Sequence, residues 1–111
     1  MDFISITQKN RIPESGMKPF NVSDKGILIV RQGGNYYAID RRCSHMGGDF
    51  SKGELEKNII TCPRHGSKFD IRTGKNISGP KIGFIKLKTK DIKAYDLKIK
   101  GDQILVKINN T

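Results

Sequence analysis

The chain has 111 residues, enough for one domain and too few for a catalytic domain beside a cofactor domain. With 35% hydrophobic residues, no Trp and 7% aromatics, the core is thin, so some stabilisation beyond apolar burial is expected. Twenty-one Lys and Arg against 11 Asp and Glu leave a net charge of +10, which points to an acidic partner: nucleic acid, a membrane surface or an acidic protein.

The first nine residues carry no basic segment and no apolar run of signal-peptide length, and no stretch approaches the roughly 18 apolar residues of a membrane span. A soluble, cytoplasmic protein without membrane attachment is therefore expected. Short apolar segments follow at 3–6, 27–30, 36–39, 59–61, 69–71, 84–87, 95–99 and 104–108, separated by Gly, Asn and Asp. That spacing predicts an all-β chain, a single domain over 1–111. Residues 10–21, with Pro13, Gly16 and Pro19, read as an early surface loop. Gly33-Gly34 and Gly101-Asp102 each sit between two strand-like runs and predict hairpins. In the last hairpin Leu97, Ile99, Ile104, Val106 and Ile108 share one side of the pleat, predicting one buried and one wet face. Helix finds little support beyond a single turn within 51–57.

Two loops hold every strong N or S metal ligand in the chain. The first reads Cys43-Ser44-His45-Met46-Gly47-Gly48, the second Cys62-Pro63-Arg64-His65-Gly66-Ser67, and the chain has no other Cys or His. Each loop follows an apolar run, so two hairpin tips are expected to meet at one centre offering two thiolates and two imidazoles. Three readings compete. A structural zinc accepts such a set, although zinc sites usually build their cysteine pair as Cys-x(2–4)-Cys, whereas each loop here mixes one Cys with one His. Two buried cysteines with unrelated surface histidines would leave the pairing to accident. An iron–sulfur cluster would give one iron both thiolates and the other both imidazoles.

At this point the chain resembles the Rieske-type ferredoxin family. The resemblance rests on Cys-x-His, sixteen intervening residues and Cys-x-x-His, with Tyr37-Ala38-Ile39 before the first loop and Phe69-Asp70 and Thr73-Gly74 after the second. Ser78-Gly79-Pro80 looks like the family's proline loop. The resemblance implies a Rieske-like antiparallel β-sandwich with a small cluster-binding subdomain of two hairpin loops within about 40–81. It implies one [2Fe-2S] cluster per chain, with Cys43 and Cys62 on one iron and His45 and His65 on the other. Under it, Gly47, Gly48 and Gly66 let backbone N–H groups approach sulfide, Ser67 stands where relatives donate a hydroxyl, and Pro80 shields the cluster.

Departures matter. Respiratory relatives carry two further cysteines that bridge the loops; Met46-Gly47-Gly48 and Arg64 offer none, so that disulfide is absent. Phe69 replaces a hydroxyl-bearing Tyr, which predicts a potential below the respiratory type. A second proline is replaced by Ile82-Gly83-Phe84, and a lysine-rich insertion follows, leaving the path of 81–94 open.

A fully protein-ligated cluster has no open coordination position, so the implied task is one-electron transfer rather than catalysis. With both histidines used, the chain cannot also supply a two-His, one-carboxylate oxygenase iron. The resemblance implies a carrier between a flavin-dependent reductase and a terminal oxygenase, with His45 and His65 at the exit edge. It also implies that reduction raises the pKa of these imidazoles, so that the midpoint potential falls with rising pH in alkaline solution. An electron-input or redox-sensing small subunit of a larger reductase is the alternative. A zinc-containing nucleic-acid-binding module has only the charge in its favour, because the eight aromatics are not interleaved with the lysines. Half of the excess charge lies in residues 81–111, where Lys86, Lys88 and Lys90 read as a solvated strand face. Arg41, Arg42 and Arg64 flank the ligands and are expected to form a basic rim facing carboxylates on a redox partner.

Overall fold

The computed structural model describes residues 3–44, 47–64, 66–79, 81–82, 85–86 and 89–108. Its strands are β1 (Phe3–Gln8), β2 (Gly16–Val22), β3 (Lys25–Gln32), β4 (Asn35–Asp40), β5 (Glu54–Glu56), β6 (Ile59–Thr61), β7 (Lys68–Asp70) and β8 (Asn76–Ser78). They continue as β9 (Lys81–Ile82), β10 (Ile85–Lys86), β11 (Ala94–Tyr95), β12 (Leu97–Lys100) and β13 (Gln103–Lys107). All pairings among them are antiparallel. The all-β expectation is met, and no helix among the described residues is long and apolar enough to cross a membrane.

The central sheet has the order β11-β4-β3-β2, and β3 explains its position. Its run Ile27-Leu28-Ile29-Val30 is fully buried on both faces, as expected of a strand between two apolar layers. Leu28 and Val30, with Ile39 of β4, pack into one cluster with Phe50, Ile60, Phe69 and Ile71. Ile27 and Ile29, with Ala38, pack on the opposite side with Ile104, Val106 and Ile108. Each side is closed by another sheet: β1-β13-β12 on one, β5-β6-β7-β8 on the other. This is the expected sandwich with an added small sheet, and the small sheet carries the second cysteine loop.

Three expectations are corrected. Residues 16–22 form β2, paired with β3 from Gly16↔Arg31 to Val22↔Lys25, rather than a loop. Pro19 fits because β2 is the sheet edge, where a missing N–H costs no ladder bond. The turn expected within 51–57 is a 3₁₀ turn at Phe50–Lys52 followed by β5. Asp49 caps that turn by accepting from Ser51 N–H at 3.0 Å. Ile99 stays 39% exposed because β12 is an edge strand, whereas Ile104 and Val106 of β13 are buried. Within 84–87 a strand is present at Ile85–Lys86; Phe84, Leu87 and Lys88 lie outside the described residues.

The open stretch before β11 runs as a clasp between the two halves. Ser44 Oγ donates to the Lys90 carbonyl and exchanges a 3.3 Å bond with Thr89 Oγ1. On the other side Asp91 Oδ1 accepts from Asn76 N–H at 2.8 Å, and Ile92 N–H donates to the Gly74 carbonyl at 2.9 Å. A Cβ on Gly74 would lie 2.1 Å from Ile92 O, so only glycine allows this backbone approach.

Candidate metal centre

The first cysteine loop is closed at its base by an ion pair. Arg41 donates Nε to Asp49 Oδ1 at 3.2 Å and Nη2 to Oδ2 at 3.0 Å, a two-pronged contact across the neck of the loop. Asp49 also accepts from Ser51 Oγ at 2.7 Å. The Arg41 guanidinium, aided by Ser51, holds the Asp49 carboxyl well below the usual carboxylate range despite partial burial. Backbone bonds finish the loop: Phe50 N–H to Arg41 O at 2.9 Å and Cys43 N–H to Gly48 O at 2.7 Å. The second loop is the tip of the β6–β7 hairpin, closed by Cys62 N–H to Ser67 O at 2.8 Å and Gly66 N–H to Cys62 O at 3.1 Å.

The two loops meet. Cys43 and Cys62 are both buried, at 4% and 2% exposure, and neither is in a disulfide. Gly48 lies between them: a Cβ there would be 2.5 Å from Cys62 Sγ and 3.8 Å from Cys43 Cβ. Its role is close approach and not merely a tight turn. Gly47 and Gly66 serve the backbone differently, at φ of +66° and +78°, the left-handed region that turns each loop back. Behind the loops Phe50 and Phe69, both fully buried, meet edge to face with centroids 5.3 Å apart and join the two arms.

Ser67 is 1% exposed, and its Oγ has no hydrogen-bond partner among the described residues. A buried hydroxyl without a partner is costly, so one is owed to it within the cysteine pocket. His45, His65 and Pro80 lie outside the described residues.

The Rieske [2Fe-2S] domain family matches residues 2–103. The chain belongs to the Rieske [2Fe-2S] domain family. Among curated relatives, it is 36% identical over 97 residues to the ferredoxin component of the naphthalene 1,2-dioxygenase/salicylate 5-hydroxylase systems of Ralstonia sp, covering 87% of this chain and 86% of that protein. Among solved structures, the ferredoxin of carbazole 1,9a-dioxygenase from Nocardioides aromaticivorans IC177 is 27% identical, with a TM-score of 0.78 over 96% of this chain and 97% of that one. A complex of reduced oxygenase and oxidized ferredoxin in carbazole 1,9a-dioxygenase shares the fold at 22% identity, with a TM-score of 0.76 over 94% and 91% of the two chains.

A Rieske domain carries one [2Fe-2S] cluster. The residues here fit it: two buried thiols on converging loops, a glycine whose missing Cβ clears the space beside Cys62, and a buried hydroxyl with no acceptor among the described residues. Chain pattern alone did not reveal Asp49 and Ser44. Asp49 clamps the first loop from eight residues beyond Arg41, and Ser44 fastens that loop to residues 89 and 90. The only signal was an Asp and a Ser embedded in a ligand loop. The expected basic rim is also redrawn, because the Arg41 charge is matched by Asp49 across the loop neck.

Proposed function

We propose that this chain is a one-electron carrier, cytoplasmic and not itself an enzyme, taking electrons from a flavin-dependent reductase and passing them to a terminal oxygenase. Cys43 and Cys62 supply thiolates to one iron, and His45 and His65 supply imidazole nitrogens to the other. The cluster, when bound, supplies reversible one-electron oxidation and reduction. Gly47 and Gly66, at positive φ, turn the two loops back, which would leave backbone N–H groups available to a bound cluster. Ser67 Oγ donates to the pocket and favours the more negative, reduced state. By the family resemblance, Pro80 would shield the cluster from water. With two thiolates the oxidised centre adds no net charge, so the +10 balance of the chain persists in the loaded protein.

The observation that carries this reading is the convergence of two buried cysteines on Gly48, with a buried hydroxyl in the second loop, that of Ser67, without a hydrogen-bond partner among the described residues. The relatives, ferredoxin components of dioxygenase systems, support the same role, and the ferredoxin–oxygenase complex supports the terminal partner. Coulometric titration of purified protein tests it. The reading expects two iron and two sulfide per chain and uptake of one electron; zinc in place of iron, or no electron uptake, would reject it.

A further inference from the structure

Beside the first cysteine loop the surface holds an open concavity of about 400 Å³ lined by Lys25, Gly26, Asp40, Arg42, Lys93 and Tyr95. Three of these side chains are cationic and one is anionic. The anion is occupied internally: Asp40 Oδ1 accepts from Tyr95 Oη at 2.6 Å and Oδ2 from Lys93 N–H at 2.9 Å. Burial, then the Asp40 bond, pushes the Tyr95 hydroxyl above its ordinary value, so it remains a neutral donor.

The cations are held on fixed backbone. Lys93 N–H and carbonyl both bond to Asp40, by the side-chain contact above and by Asp40 N–H to Lys93 O at 3.0 Å. Its Nζ lies 5.1 Å from the Tyr95 ring centroid. Arg42 immediately precedes Cys43, pairs in an isolated bridge with Asp49, and directs Nη1 to Gly47 O at 3.3 Å. Gly26 O accepts from Arg41 N–H at 3.0 Å, which fixes the floor against the same loop. Arg42 is therefore tethered to the cluster loop and Lys93 to Asp40, the last residue of β4 before that loop, rather than spread along a solvated strand.

We propose that this concavity is the docking point for a carboxylate-bearing surface of the redox partner, Arg42 and Lys93 engaging an acidic side chain and so bringing the partner against the first cysteine loop. The proposal rests on the electron-carrier reading and adds where, and by which charge, the partner is held. Protein carboxylates fit better than nucleic acid: the lining has one buried ring, edged by the Asp40 bond, and no exposed aromatic platform for bases.

The test uses the loaded protein and defined probes. Reduced protein gives its electron to hexacyanoferrate(III), which becomes hexacyanoferrate(II), and separately to the cationic tris(phenanthroline)cobalt(III), which becomes the cobalt(II) complex. Removing two positive charges about 10 Å from a trivalent anion, screened over one Debye length at 0.1 M salt, slows the first reaction about fivefold. R42Q/K93Q should show that loss and a faster reaction with the cationic oxidant. K93Q alone should show about half of the effect on a logarithmic scale, with an unchanged visible spectrum. K100Q, the same charge change at the β12–β13 turn, should have a smaller effect. Fluorescence anisotropy of a labelled hexaglutamate peptide gives a readout independent of the cluster: binding to wild type, about fivefold weaker to K93Q, and unchanged by K100Q.

Equal oxidation rates in wild type and R42Q/K93Q, or equal losses in K93Q and K100Q, would overturn the proposal. So would displacement of the peptide by a duplex oligonucleotide that binds more tightly at 0.15 M salt. A protein without a reducible cluster would defeat the electron-carrier reading, and the peptide arm would still decide the concavity.

Discussion

Replacing Gly48 by Ala puts a methyl group into the gap between the two cysteine loops. An ideal Cβ there lies 2.5 Å from Cys62 Sγ and 3.3 Å from Arg64 Cβ, whereas carbon contacts settle at about 3.5 to 4.0 Å. The Cys62 thiol must therefore retreat by about 1 Å or the first loop must open by as much. Metal–ligand distances tolerate only about 0.2 Å, so the expected displacement is several times what the cluster can accept. The apo fold loses about 1–3 kcal/mol, the usual cost of overpacking. Gly47→Ala is the counterpart: no described atom lies within 4 Å of its Cβ, and its cost comes only from φ of +66°, about 1–2 kcal/mol. Iron and sulfide analysis, visible absorption and thermal unfolding of both variants separate the two effects. G48A should fold and fail to load, while G47A should load with lowered stability. Full cluster content and an unchanged spectrum in G48A would refute the reasoning.

Other consequences are equally measurable. Ser67→Ala should lower the midpoint potential by about 60 mV, equivalent to about 1.4 kcal/mol for one electron, while leaving apo stability unchanged or raised, because a hydroxyl with no described partner is removed; dye-mediated titration and calorimetry read the two. Asp49→Asn should cost about 2 kcal/mol at neutral pH by breaking the Arg41 clamp. Because the folded carboxyl is depressed, its contribution is fully present above the unfolded value of about 3.9 and fades as pH falls toward the depressed folded value, so the difference between wild type and D49N should begin to narrow below about pH 4 and close only near the folded value. Phe50→Ala should cost about 3–5 kcal/mol by opening a cavity against Phe69, read as a lowered urea midpoint. With Phe69 offering no hydroxyl, the midpoint potential should fall in the lower half of the roughly −150 to +300 mV Rieske span.

Central strands were legible, as were the edge strands β1 and β12 with their apolar alternation, but three other edge strands were not. β3 and β4 announce themselves by apolar runs that must be buried on both faces. β2, β5 and β8 each lie at a sheet edge with one hydrogen-bonded neighbour. An edge tolerates Pro19 in β2, flanking glutamates in Glu54-Leu55-Glu56 and the polar ends of Asn76-Ile77-Ser78, so their composition reads as loop or turn. The cysteine loops were legible because Cys and His are so few that their pairing stands out. Gly48 was legible as a place of close backbone approach, but that its missing Cβ makes room for Cys62 Sγ shows only once the second loop is brought beside it. Ser44 and Asp40 act through residues 46 and 53 to 55 positions away, and no local pattern encodes such distances. The Arg41 charge, read as part of a docking rim, is taken by Asp49 from the far side of the loop.

The central claim is mixed cysteine and histidine ligation of one [2Fe-2S] cluster. The chain contains only two histidines, so ¹⁵N-histidine labelling reports on His45 and His65 alone. Pulsed EPR of the reduced, labelled protein should show a signal of low average g value with two strongly coupled ¹⁵N nuclei. An EPR signal without histidine nitrogen coupling, or a colourless protein containing zinc, would contradict it.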